Sequence, residues 1–267
     1  MIIHNPVPAA HTAVEDTGEF RSGFEAGTAA VPSVTHGTRY LRYAAVDGMA
    51  VFEGDIVLGT LAAIQAPHRA EGVVITGAEF RWPDGVVPFE VDPALPDPQR
   101  VAAAVAHWNG RTHLRFVPRT AGDTDFLRFI PSTASRSPVG RHGGMQTIEL
   151  TATAPIGTVV HEIGHAIGLW HEQSREDRGD FIDVRLVNVD PATRHNFAQH
   201  ITDGDDIGDY DFGSIMHYPA TAFSINGQAT IVPRVVLPPG VSMGQRVELS
   251  AGDIAAAHAI YPDPAGG

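Results

Sequence analysis

The stretch VVHEIGHAIGLWHEQSR, residues 159 to 175, decides how the rest of the chain is read. His161 and His165 stand four residues apart, which on a helix puts them about 40° apart around the axis and one turn along, so both imidazoles can meet one ion. Glu162 lies about 100° round from His161, beside such an ion rather than over it, where a carboxylate serves as a proton acceptor and not as a ligand. Gly168 is placed to stop the helix with a positive φ that other residues resist, turning the chain so that His171 returns as a third nitrogen donor. Three neutral imidazoles and an open position suit a catalytic Zn²⁺, which lowers the pKa of water toward about 7 and polarises a carbonyl, while the carboxylate carries the proton to a leaving amine. A bare His-Glu-x-x-His pattern also fits an amphipathic helix with surface histidines, but that alternative gives no reason for the glycine and the third histidine.

The chain of 267 residues is 43% hydrophobic, enough for one substantial core or two unequal ones. Its formal net charge of -13 opposes nucleic acid or an anionic membrane as a partner, because phosphate surfaces are repelled over most of the molecule. All 18 cationic residues are arginine, which with the abundance of Ala, Gly and Pro suggests a GC-rich, bacterial genome. Cysteine is absent, which excludes disulfides and thiolate metal sites. The opening MIIHNPVPAAHTAVEDTG has neither the cationic start nor the apolar run of a secretory signal, and no stretch is apolar for long enough to span a membrane.

Residues 1 to about 38 lack periodicity and read as extended or partly disordered chain. TRYLRYAAVDGMAVFEGDIVLG follows, short apolar runs broken by Asp-Gly and Gly-Asp turns, and reads as a small appended region with little core of its own. A boundary is expected near residue 72. Beyond it, FRWPDGVVPFEV begins a strand after a Pro-Asp-Gly turn. Pro98 opens a helix running to about Trp108, with Val101, Val105 and Trp108 on one face. LRFVPR, DFLRFI and MQTIEL read as strands. Asp203 to Pro239 is loop-rich, and Ser250 with Asp253 caps a terminal helix.

With these residues in place, the chain resembles the astacin family of the metzincin metallopeptidases. The zinc motif carries Glu172 directly after the third histidine, as astacins do; matrixins usually have Asp there. HEQSREDRGDFI resembles the family's next segment, although Gly179 stands where another Asp is usual, and YDFGSIMHYP resembles its methionine turn. WPDGVVPFEV, FSINGQATIVP and MGQRVELSAGDIAAAHAIYP resemble opening and closing segments, so the resemblance covers roughly residues 80 to 262. It implies an α+β fold: a twisted, mostly parallel sheet with an edge strand and a zinc helix, above a loop-rich lower half closed by a terminal helix. SPVGRHGGMQTIEL would supply the rim strand whose edge pairs with an extended substrate. It further implies that Tyr218 is a movable zinc ligand that turns to the oxyanion, and that Met216 supports the site from beneath. An ordinary buried tyrosine and simple core packing are the alternatives for these two residues. His217, His107 and His195 are not expected to be ligands.

The same resemblance gives a meaning to VFEGDIVLG, residues 51 to 59. FEGDI resembles the astacin propeptide switch, in which the Asp of Phe-x-Gly-Asp occupies the catalytic zinc; Asp55 is then the lock, Gly54 allows close approach and Phe52 anchors the turn. A solvent-facing turn with an incidental Asp is the alternative. The expected organisation is a prosegment over residues 1–72 and a catalytic domain over 73–267, with cleavage between Asp55 and Trp82. The mature start falls near Val73, with Arg69 offering a trypsin-like bond. Glu172 would then receive the new N-terminus, or act as a hydrogen-bonded structural carboxylate. The expected partners are one Zn²⁺, a protein or peptide substrate and an activating protease. The protein is expected to be a monomer that meets neither nucleic acid nor membrane, with secretion favoured. A non-catalytic, self-occluded zinc-dependent peptide-binding module is the alternative from another class, and Glu162 and Tyr218 argue against it.

Overall fold

The computed structural model describes residues 18–21, 23–33, 37–65, 80–199 and 206–263. The boundary near residue 72, Val73 and Arg69 fall outside them. Four strands lead: β1 (Glu25–Ser33), β2 (Gly37–Val46), β3 (Met49–Phe52) and β4 (Ile56–Thr60), paired in sequence as one antiparallel sheet and followed by the short helix α1 (Leu61–Gln65). The β2–β3 hairpin turns on Asp47 and Gly48, both at positive φ (51° and 79°), the pairing that matches strand twist. One expectation is sharpened here and another fails. Within the stretch read as extended or partly disordered, β1 is a paired strand, because backbone pairing with β2 needs no strong side-chain pattern. The region also has a core: Ala29, Leu41, Tyr43, Ala50, Phe52, Ile56 and Leu58 pack together, completed by Val139 from far downstream.

The second sheet is parallel throughout. β5 (Val86–Val91) is followed by the helix α2 (Gln99–Arg111), β6 (Arg115–Pro118), β7 (Phe126–Pro131) and β8 (Met145–Leu150), and the spatial order is β6-β5-β7-β8. Val101, Val105 and Trp108 form the buried face of α2, as their spacing predicts. The antiparallel rim is not β8 itself. Arg136 pairs antiparallel with Glu149 on the outside of β8, and Ser137 in turn pairs with Ile56, so the N-terminal region is laid along the rim. The amide of Val57 donates to the Ser137 carbonyl at 3.0 Å, and the amide of Ser137 to the Asp55 carbonyl at 3.1 Å.

The helix α3 (Ile156–Ala166) crosses this sheet with every residue from Gly157 to Ala166 buried. A buried helix end must have its last carbonyls satisfied. The Gly168 amide donates to His165 and the Leu169 amide to Gly164, with Gly168 at φ 112°. The carbonyls of Ala166 and Ile167 accept from the Trp82 indole and the Tyr261 hydroxyl, each at 2.9 Å. The lower half holds the short helix α4 (Arg178–Phe181), the two-stranded pair β9 (Ile182–Val184) and β10 (Ile231–Pro233), and the terminal helix α5 (Ala251–Ile260) with a full capping box between Ser250 and Asp253. Among the described residues no helix is long and apolar enough to cross a membrane.

Candidate metal centre

Helix α3 carries His161 and His165 to one side of the cleft, and the chain reversal at Gly168 brings His171 back beside them; all three are buried. Each has its outer nitrogen committed. Nδ1 of His161 donates to the Ile215 carbonyl at 2.9 Å, Nδ1 of His165 to the Leu169 carbonyl at 2.8 Å, and Nδ1 of His171 to a Glu53 carboxylate oxygen at 2.8 Å. Carbonyls and carboxylates only accept, so the proton of each neutral ring sits on Nδ1 and the Nε2 lone pairs face one another.

Asp55 completes the group. Its Oδ2 is 3.3 Å from Nε2 of both His161 and His171, and its Oδ1 is 3.7 Å from Nε2 of His165. The four side chains offer one ligand atom each within 4.8 Å of one another. Ligands about 2.0–2.1 Å from a tetrahedral zinc ion stand roughly 3.3 Å apart, the distance Asp55 keeps from His161 and His171, with His165 somewhat farther. Three imidazole nitrogens and a carboxylate converging on one point are the donor set of a bound cation, so these residues fit zinc. Burial pushes His161 and His165 below the ordinary imidazole range, with Arg246 adding to it for His161 and His161 itself for His165. Burial also acts on His171, but the carboxylates of Asp55 and Glu53 outweigh it and raise it to about 9. Asp55, buried beside three imidazoles, is held far below the usual carboxylate range because their attraction exceeds the burial cost.

Glu162 lies in the same pocket, fully buried, and neither of its carboxylate oxygens has a hydrogen-bond partner among the described residues. Burial, then the charges of Asp55 and Glu19, push its carboxyl well above the usual range. Met216 packs beneath α3: a Cβ built on Gly164 would lie 2.6 Å from its Sδ, so a larger residue there would make Met216 shift. Tyr218 is buried with its hydroxyl donating to the Glu53 backbone carbonyl rather than joining the imidazoles. Glu172 accepts from the Asp211 amide at 2.7 Å, and burial raises it to about 8. His217 is buried between the Tyr210 hydroxyl (2.8 Å) and the Tyr218 carbonyl (2.7 Å), His107 accepts from the Leu249 amide, and His195 is a buried packing residue.

Three residues here escaped the sequence reading. Glu53, the unassigned position of Phe-x-Gly-Asp, is buried at φ 49°, and besides His171 it accepts from the Ser174 hydroxyl. Glu19 is buried and grips Arg246 with both oxygens at 2.9–3.1 Å, close to Glu162 and His161. Arg246 reaches on to the Ile215 carbonyl at 2.7 Å, the same oxygen that orients His161. Charge was the only signal any of the three carried. Gly54, at φ 87°, leaves room that a Cβ would take 2.8 Å from the Phe223 ring, and Phe52 stands edge-on to Trp170 with centroids 5.8 Å apart.

A buried three-histidine site fitted to zinc, with a glutamate on the same helix whose carboxylate oxygens have no partner among the described residues, has the composition of a zinc-peptidase centre. The chain belongs to the astacin family: the model for the Astacin family of peptidases matches residues 74–262. It is 40% identical over 196 residues to Blastula protease 10 of Paracentrotus lividus, covering 68% of this chain and 32% of that protein. It is 38% identical over 197 residues to bone morphogenetic protein 1 of Xenopus laevis, covering 70% and 27% respectively. The chain thus spans about a third of the length of these relatives. Among solved structures it is similar to high choriolytic enzyme 1, a hatching enzyme zinc-protease from Oryzias latipes, at 34% identity and a TM-score of 0.61, covering 68% of this chain and 92% of that one. These relatives are animal proteins, and the bacterial source expected from composition gains nothing from them.

Proposed function

We propose that this protein hydrolyses internal peptide bonds of protein substrates and that residues 1–72 act as a prosegment that keeps it latent. The observation that carries this reading is the convergence of three Nε2 atoms and the Asp55 carboxylate, all within 4.8 Å of one another. His161, His165 and His171 would hold zinc, which supplies Lewis acidity toward the scissile carbonyl and toward water. Glu162 takes the proton from the attacking water and passes it to the amine nitrogen as the peptide bond breaks. Tyr218, once Glu53 has left, turns its hydroxyl into the cleft and donates to the carbonyl oxygen as negative charge develops there. An extended substrate would take the place along Ser137 now held by residues 55–57.

Asp55 occupies the position that substrate and water need, so turnover requires its removal by a cut between Asp55 and Trp82, made by an activating protease. The test is casein hydrolysis by the zinc-loaded full-length protein and its Asp55→Ala and Glu162→Ala variants, before and after limited trypsin cleavage. Wild type should be silent until cut, Asp55→Ala should be active or readily become so, and Glu162→Ala should bind zinc and stay silent. Hydrolysis by Glu162→Ala would overturn the mechanism. Zinc binding without turnover in any cleaved form would make the chain a self-occluded binding module instead.

A further inference from the structure

We infer that Glu53 is a metal-retaining residue: from within the latency turn it takes the outer nitrogen of the third histidine, so that the uncut chain holds its metal more tightly than the cut one. The inference rests on the latency reading above. Of the three imidazoles, two have Nδ1 anchored to backbone carbonyls of the domain itself, Ile215 and Leu169. The third, His171, is anchored to a carboxylate that arrives from a segment 118 residues away in sequence. That carboxylate is fully buried, and its second oxygen is taken by the Ser174 hydroxyl. Its own backbone carbonyl receives the Tyr218 hydroxyl. Glu53 therefore locks three groups of the centre at once, while Asp55, two residues on, faces their inner side.

A carboxylate on the outer N–H of a ligating histidine fixes its tautomer and raises the basicity of the inner nitrogen, and loss of such a partner typically costs about 10–100-fold in metal affinity. A dication at Nε2 gains about twice what a proton there gains from the same negative charge at the same distance, so the carboxylate favours metal over proton. When the turn departs, His171 loses this partner and Tyr218 is released in the same event. Glu53 acts through His171 and touches no reacting atom, which makes it a positioning residue.

The experiment measures zinc affinity by competition with a chromophoric chelator at fixed pH, for the full-length chain and for the trypsin-cleaved form, in wild type and Glu53→Gln. Glutamine keeps the shape, the acceptor oxygen and the backbone carbonyl, and removes only the charge. The expected result is a roughly tenfold weaker affinity for uncut Glu53→Gln than for uncut wild type, and equal affinities for the two cleaved forms. Equal affinities before cleavage would overturn the inference; after cleavage the two proteins are the same chain, so their equality shows that the segment carrying Glu53 has left. If Glu53→Gln fails to fold, Ser174→Ala gives the second arm. It frees the carboxylate's other oxygen and should weaken zinc binding severalfold in the uncut chain alone; no change would count against the inference. Because affinity is read without turnover, a cleaved chain that hydrolyses casein while Glu53→Gln binds zinc normally sinks this inference alone. A Glu53-dependent affinity in a chain that never hydrolyses sinks the peptidase reading alone.

Discussion

The two four-stranded sheets solve the same packing problem in opposite ways. The parallel sheet β5–β8 is covered by α2 and α3 and closes on a core that runs from Trp82 through Trp108 and Ile163 to Tyr261, all within the C-terminal region. The antiparallel sheet β1–β4 completes its smaller core with Val139 and leans on Phe80 and Trp170, which belong to the other region. One is self-sufficient and the other borrows its last layer, so the N-terminal sheet depends on the C-terminal region for part of its packing and not the reverse.

The sharpest separation of the two regions is chemical. On the proposed mechanism, Glu162→Gln is expected to lower the activity of the cleaved enzyme by about 10²–10⁴-fold, roughly 3–5 kcal/mol of barrier, with zinc content unchanged. Next come two aromatic truncations of similar cost and different reach. Trp108→Ala and Phe52→Ala should each cost about 3–5 kcal/mol. The Trp108 loss should lower the denaturation midpoint of cut and uncut protein alike, whereas the Phe52 loss should appear only in the uncut chain, as easier proteolysis of the N-terminal region. Uncut Phe52→Ala as resistant to proteolysis as uncut wild type would break the comparison. Gly164→Ala drives a methyl into Met216 and should cost about 1–3 kcal/mol in thermal unfolding of the cleaved domain, with weaker zinc binding as α3 shifts. Ser250→Ala, which deletes the cap of α5, should cost about 1 kcal/mol, read as a small fall in midpoint of both forms.

The metal helix was legible in the sequence because its information is local: two histidines a turn apart, a glutamate between them and a glycine that ends the helix. The four parallel strands and α2 were legible for the same reason, as apolar runs and helical spacing. Asp55 was readable only through the family resemblance of its short motif. Glu53, Glu19 and Arg246 were not, because their partners lie across the cleft at separations of 118 residues for Glu53 and His171 and 227 for Glu19 and Arg246. No periodicity connects such positions. The strand β1 was hidden because Glu-Ala-Gly-Thr-Ala-Ala-Val-Pro-Ser is poor in the branched and aromatic residues that announce strands. The rim bridges of Arg136 and Ser137 meet the expected stretch SPVGRHGGMQTIEL at its first residue, and the sequence gives no finer position because this segment is short and polar.

Asp253 gives the centre an unexpected neighbour. Its carboxylate caps α5 through the Ser250 amide at 2.9 Å, and it also receives the Ser214 hydroxyl at 2.6 Å and the Ile215 amide at 2.9 Å. Ile215 is the residue whose carbonyl orients His161. The cap of α5 and the orientation of His161 therefore share one carboxylate and one peptide unit, and a change at Asp253 would be felt at both.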